Sequence, residues 1–226
     1  MNYLDIFESA TVWIKYVHYL NKKYYKNNFL EIGAGIGSFT DRYKKNIKNI
    51  FLTEIDKQNL NILKTKYQND KNITVLESQI ANVSQKFNTI CHFNVLEHIK
   101  DDKEEIINCL NKINKEGYLV ILVPAHNKLY SNLDKDVGHY RRYEKSFFEN
   151  LNLSNGEIVE LKYMDCMGYF LYYMNKLIYK NETYPSGFKI FIWDKIFTPL
   201  TVLLDFITGY KFGKNILCVI KKKSIN

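Results

Sequence analysis

Phe29-Leu30-Glu31-Ile32-Gly33-Ala34-Gly35-Ile36-Gly37 decides how this chain of 226 residues reads. An apolar strand runs into three alternating glycines, and Ser38–Lys45 then has the character of a helix. Glycines so spaced make a tight turn without side chains, and a ligand can come close to the backbone. Dinucleotide-binding proteins use the same device, but two residues separate the readings. Their third glycine would fall at position 38, which is Ser38 here. Glu31 stands two residues before the first glycine, where a carboxylate repels a pyrophosphate and suits a ligand bearing a positive amine.

Outward from this turn, strands and helices alternate. Asn28–Ile32, Asn49–Glu54, Ile73–Leu76, Asn88–Asn94 and Tyr118–Val123 read as strands, the fifth stopped by Pro124. Helices are expected over Ser38–Lys45, Lys57–Tyr67 and Asp101–Ile113. A leading helix over Asp5–Tyr25 spaces Ile6, Trp13, Val17 and Leu20 on one face. Strands apolar throughout imply a parallel sheet covered on both faces. Tyr143–Leu151 reads as a further helix, with Glu157–Lys162 and Asn215–Lys221 as the sixth and seventh strands. The last strand, returning after a long insertion, should be antiparallel and at the edge of a mixed sheet. The expectation is an α/β, Rossmann-like, seven-stranded and mostly parallel sheet with helices on both faces. It forms a single domain over residues 1–226, with an aromatic-rich helical insertion at 164–213 before the last strand.

Hydrophobic residues at 46% and charged residues at 25% are the balance of an ordinary globular protein. The net charge of +8 could suit nucleic acid, an anionic membrane face or a phosphorylated substrate. The lysines are scattered in short groups (Lys22-Lys23, Lys44-Lys45, Lys221–Lys223) with no arginine-rich stripe, so nucleic acid is not the expected partner. Cys91, Cys109, Cys166 and Cys218 show no metal-ligand spacing, so no metal is expected. The first residues lack a basic start followed by an apolar run, which points to the cytoplasm.

Glu54 closes the second strand, where an acid can accept hydrogen bonds from both hydroxyls of a ribose. Asp56 competes for that role, but Glu54 is nearer the strand tip. With Glu31–Gly37, Glu54 and Phe93-Asn94-Val95-Leu96-Glu97-His98 in this order, the chain resembles the class I S-adenosylmethionine-dependent methyltransferases over Asn28–Val123. The resemblance implies S-adenosyl-L-methionine as cofactor, held by Glu31, Gly33, Ala34, Gly35, Gly37, Glu54, Ile55 and the backbone near Asn94. Members of that family often hold the adenine amine with an acid after the third strand. Here that place reads Ser78-Gln79-Ile80, so the amide of Gln79, beside Ile80, takes the acid's position.

The segment after strand five should meet the substrate: Pro124–Tyr130, Asp134 and Gly138-His139-Tyr140-Arg141-Arg142-Tyr143. His139 suits a general base, and Asp134 could orient it or act as the base. Arg141 and Arg142 either clamp a phosphate or carboxylate or pin their loop through salt bridges. Tyr130 and Tyr143 would line the same pocket. The Gly-His-Tyr-Arg-Arg-Tyr block resembles a bacterial methyltransferase subgroup considered for surface-glycan or lipid-linked work. That implies O-methylation of a small anionic, sugar-phosphate, glycan or lipid-linked acceptor in surface polysaccharide biosynthesis. His98 reads as organising the pocket edge, while His18 and His92 read as core or surface residues.

In the insertion, Met167, Phe170, Leu171, Met174 and Leu177 form a helical stripe, and Ile190–Ile207 is apolar apart from Asp194, Lys195, Pro199 and Asp205. No uncharged run approaches the roughly eighteen residues that span a bilayer. A helical lid, a greasy acceptor channel or peripheral surface at the inner membrane, and a homodimer contact all fit this pattern. Two other functions compete with methyl transfer. One is an NAD(P)-dependent Rossmann oxidoreductase, disfavoured by Ser38 and Glu31. The other is a non-catalytic, membrane-peripheral protein that keeps the nucleotide fold without its ligand.

Overall fold

The computed structural model describes residues 9–178 and 186–224. The first part of the expected leading helix, including Ile6, lies outside the described residues, as do residues 179–185 of the expected insertion.

Five parallel strands, β1 (Phe29–Ile32), β2 (Ile50–Thr53), β3 (Ile73–Leu76), β4 (Phe87–Phe93) and β5 (Ile113–Pro124), build most of one sheet. With β6 (Gly156–Met164) and β7 (Asn215–Lys222) the sheet has seven strands in the order β3-β2-β1-β4-β5-β7-β6. Each chain segment between parallel strands crosses over a sheet face, and the strand order reverses between β1 and β4. Ligands of such sheets bind at that reversal, beyond the carboxyl ends of the strands.

β7 corrects one expectation. It is antiparallel, but it lies between β5 and β6 and not at the edge. The side chains give the reason. Asn215–Ile220 is buried at every position, which an interior place satisfies. β6 carries Glu157, Glu160 and Lys162, charges that suit an exposed edge and discourage pairing with other chains. β5 is also longer than its apolar run, because Ile113 pairs with Phe87 ahead of a bulge.

Helices cover both faces. On one side α1 (Thr11–Asn21), α2 (Thr40–Tyr43) and α3 (Lys57–Tyr67) bury Trp13, Val17, Tyr43, Leu63 and Tyr67 against the sheet. On the other, α4 (Asp102–Lys112) and α6 (Lys145–Glu149) bury Ile106, Leu110 and Phe148, with the short α5 (Asn132–Asp136) between them in the chain. The alternate residues of each strand feed the two cores, as the pleat requires.

The insertion between β6 and β7 is helical: α7 (Cys166–Ile178), α8 (Gly187–Ile192), one wide π turn (Trp193–Phe197) and α9 (Thr198–Ile207). Asp194 and Asp205, the acids in its apolar run, turn inward and are fully buried. Asp194 accepts the backbone N–H groups of Val12 and Trp13 at the start of α1. Asp205 accepts those of Asp165 and Cys166 at the start of α7, and the Tyr16 hydroxyl at 2.9 Å. A carboxylate facing the first turn of a helix satisfies N–H groups that have no partner inside the helix. These acids anchor the insertion to the main body.

Candidate active site

The glycine turn stands at the carboxyl end of β1. Gly33, Gly35 and Gly37 all have positive φ, at 62°, 58° and 83°. A Cβ on Gly33 would lie 2.7 Å from a Val95 methyl, so the turn also needs glycine for space. Ala34 N–H donates to the Thr53 carbonyl at 3.0 Å and fastens the turn to β2.

Glu54 completes that fastening. One carboxylate oxygen accepts Gly35 N–H at 2.9 Å, and the other accepts Ile55 and Asp56 N–H at 2.7 and 2.8 Å. Asp56 instead caps α3 by accepting Asn59 N–H, which leaves Glu54 as the acid against the glycines. Asn94, with φ 54°, makes the corresponding bend after β4, its N–H donating to Leu122. Gly33–Gly37, Glu54, Ile55 and Asn94 therefore gather at three neighbouring strand tips. Gln79 follows β3 at the same end of the sheet, whereas the Ile80 side chain is buried in the core.

Glu31 has a different environment from the others. It is only 2% exposed, and its carboxyl accepts hydrogen bonds from Thr40 and Tyr43. Burial raises it to about 7, against the lowering effect of those two hydroxyls. Its contacts tie α2 to β1 beneath the turn.

The second half of the site is the segment after β5. Asp134 is its centre. One oxygen takes a hydrogen bond from His139 Nδ1 at 2.8 Å, and Arg142 Nε donates to both oxygens at 2.9 and 3.0 Å. Ser131, through N–H and hydroxyl, and the Tyr172 hydroxyl of α7 add further donors. Burial pushes this carboxyl up, but the His139 hydrogen bond and the Arg142 charge outweigh it and hold it near 2. The Arg142 guanidinium also lies over the Tyr172 ring, 4.5 Å from its centroid. Tyr130 donates its hydroxyl to the His139 carbonyl at 2.6 Å, which fixes the backbone behind the imidazole.

The paired arginines do separate things. Arg142 is buried against Asp134. Arg141 is 34% exposed and bonds Asp102 and the Lys100 carbonyl. Tyr143 is buried, and its hydroxyl donates to the Leu96 carbonyl and Asp102. This joins the segment to the turn after β4.

That junction brings in a residue which the sequence motif contained but gave no role. Glu97 is 1% exposed, and among the described residues neither carboxylate oxygen has a hydrogen-bond partner. His139 Nε2 is 3.9 Å from its Oε1. The Nη1 group of Arg142, also buried, is likewise unpartnered. Burial raises Glu97 to about 8. The His98 ring meets His139 edge-on at 4.7 Å, and burial together with that neighbour lowers His98 to about 4. The ligand atoms of Glu97, His98 and His139 lie within 4.8 Å of one another, a donor set that could hold a divalent cation although no sequence spacing marks it. A second such set, His92, Glu105 and Cys109, is packed between β4 and α4. The only sequence signal for Glu97 is an acid directly after buried Leu96 at a strand tip.

Comparison with known proteins gives the chain a family. A family model described as a methyltransferase domain matches residues 8–156. No curated protein matches the chain. Among solved structures, the YcgJ protein of Bacillus subtilis is similar with a TM-score of 0.63 at 10% identity, covering 94% of this chain and 99% of that one. An S-adenosylmethionine-dependent methyltransferase of Clostridium acetobutylicum gives 0.61 at 13% identity, covering 99% and 93%. The N-methyltransferase NodS of Bradyrhizobium japonicum, in complex with S-adenosyl-L-homocysteine, gives 0.57 at 12% identity, covering 93% and 85%. At these identities the likeness is one of fold.

Proposed function

The chain belongs to the methyltransferase domain family, and from that premise we propose that it uses S-adenosyl-L-methionine to methylate a hydroxyl of a small anionic acceptor, a sugar phosphate, glycan or lipid-linked sugar. The cofactor side rests on fit. The glycine turn leaves no room for a Cβ at Gly33, its backbone N–H at Gly35 is held by Glu54, and both stand at the strand-order reversal. A carboxylate has about four acceptor sites, and three backbone donors leave Glu54 capacity for a ribose hydroxyl. Bound there, the cofactor supplies a methyl carbon already activated by its sulfonium, and its displacement depends chiefly on positioning.

The observation that carries the acceptor side is the Asp134–His139 pair facing Glu97. A carboxylate only accepts, so the imidazole proton sits on Nδ1 and the Nε2 lone pair points away from Asp134. Nε2 is then placed to take the proton of an acceptor hydroxyl as its oxygen attacks. The buried, unpartnered Glu97 carboxyl and Arg142 Nη1 offer an acceptor's polar groups one donor or acceptor each. Arg141, the more exposed arginine, offers its positive edge to an acceptor's anionic group.

The test is S-adenosylhomocysteine formation from S-adenosyl-L-methionine with phosphorylated sugars, their unphosphorylated forms and lipid-linked sugars. Turnover that depends on the phosphate and collapses in His139→Ala supports the reading. NAD binding in calorimetry, with no affinity for S-adenosylhomocysteine, would overturn it in favour of an oxidoreductase.

A further inference from the structure

The helices between β6 and β7 turn Ile190 and Trp193 into the core beside the buried Asp194 and Asp205, and carry a second apolar face outward. Phe188, Phe191, Ile196, Leu200, Leu203, Phe206 and Ile207 are all exposed, Phe188 at 71% and Phe206 at 73%. They follow one another along α8, the π turn and α9, and among the described residues nothing covers them. Scattered exposed apolar side chains are ordinary, but a contiguous face of large ones marks an interaction surface.

The charges on that face identify what it meets. Between residues 186 and 213 the only acids are Asp194 and Asp205, and both are buried as anchors for α1 and α7. The exposed charges that point outward are Lys189 and Lys211, while the Lys195 ammonium turns back to Asp194 at 2.8 Å. We infer that this face docks on an anionic lipid surface, with the apolar side chains entering the headgroup boundary and the lysines meeting lipid phosphates. An amphipathic helix rich in Lys on its polar positions and Phe and Leu on the other lies in such an interface. No helix among the described residues is long and apolar enough to cross a membrane, which accords with lying on the surface. A second copy of the chain suits the face less well. Self-association would set this basic face against its own copy, on a chain of net charge +8.

The face also reaches the candidate site. On α7, Tyr172 touches Asp134 and Ser131, while Phe170, Tyr173 and Met174 of the same helix are exposed. One helix thus borders both the candidate site and the apolar surface, so an acceptor held in a bilayer would need little displacement to reach it. The lipid contact itself does not depend on the methyl-transfer reading.

Flotation of the full chain with vesicles tests the inference. Vesicles of equal parts phosphatidylcholine and phosphatidylglycerol should carry the protein, at least about tenfold better than phosphatidylcholine alone, with high salt reducing the difference. Phe206→Ser combined with Ile207→Ser should lower vesicle binding by about tenfold or more without changing the thermal melt, since both side chains are exposed. Lys189→Glu with Lys211→Glu should lower it on the mixed vesicles. No flotation with the mixed vesicles, or undiminished flotation of the Phe206/Ile207 variant, would overturn the proposal. So would a sedimenting dimer that this variant converts to monomer, which would assign the face to a second copy. A chain that floats but forms no S-adenosylhomocysteine would sink the proposed activity and leave the lipid surface standing.

Discussion

The Tyr67 hydroxyl donates to the Gly37 carbonyl at 2.9 Å, and it stands 2.3 Å from where a Cβ on that glycine would be. Helix α3 therefore closes on the glycine turn through this phenol, beside Lys66, which donates to the Ile36 carbonyl at 3.0 Å, and the turn's last residue has no room for a side chain. With φ at 83°, Gly37→Ala adds backbone strain to the clash and should cost roughly 2–4 kcal/mol. Tyr67→Phe removes the nearest atom, so the two changes should be less than additive in denaturant unfolding. Strict additivity would mean that the tyrosine yields freely and does not shape the turn.

Glu54→Ala should weaken S-adenosylhomocysteine binding by roughly ten- to hundredfold in calorimetry, because it removes the proposed ribose acceptor and releases three backbone N–H groups. Asp56→Ala is the control. It removes the cap of α3 and should cost about 1 kcal/mol of stability with affinity unchanged. Equal losses of affinity in both would leave Glu54 a purely structural acid.

His139→Ala should lower turnover by roughly 10²- to 10⁴-fold while cofactor affinity stays constant, the signature of a lost base. Asp134→Asn should do more, because it also leaves the Arg142 guanidinium buried without its counter-charge, at a cost of roughly 3–5 kcal/mol in unfolding. In the wild type the Asp134 carboxyl is held near 2, below its usual 3.8. Its contribution is thus present above the usual value and lost as the pH falls toward 2. An Asp134→Asn variant as stable as the wild type at neutral pH would contradict this.

Glu97 has the opposite sign. Its carboxyl is raised to about 8 by burial, so its neutral form is the one that folding favours. That contribution is full below the usual carboxylate range and is lost as the pH climbs through about 8. Glu97→Gln cannot ionise, so its melting temperature should gain on the wild type steadily from mildly acid to mildly alkaline buffer. A constant gap across that range would mean that Glu97 ionises as easily in the fold as in water.

Much of this was legible in the residues. β1 to β4 and the apolar run within β5 are short and bounded by polar or turn residues, so each announces itself locally, as do glycines that alternate after a strand. Strand-tip position favoured Glu54 over Asp56, and in the fold Glu54 accepts Gly35 N–H while Asp56 caps α3. The place of β7 was not legible, since it depends on pairing with two strands far away in the chain. Nor was the direction of Asp194 and Asp205, which interrupt the apolar run on paper and anchor it in space. Glu97 gained its neighbours only when the segment from Tyr130 to Tyr143 folded back under the tip of β4, and Tyr172 only when α7 closed over that segment. Local pattern reports the period of side chains, whereas these contacts are set by tertiary packing.

The position of β7 imposes an order of events during synthesis. β6 leaves the ribosome before β7, yet among the described residues it has no strand to pair with until residues 215–222 are made, because β7 is its neighbour in the sheet. Until then the apolar edge of β5 is open, although the insertion helices can already rest on α1 through Asp194 and Asp205. A nascent chain that has just made β6 therefore holds β1 to β5 with β6 still unpaired. Pairings between distant segments form slowly and expose strand edges meanwhile. Chaperone demand and premature proteolysis should therefore concentrate in the interval before β7 slides between its two partners.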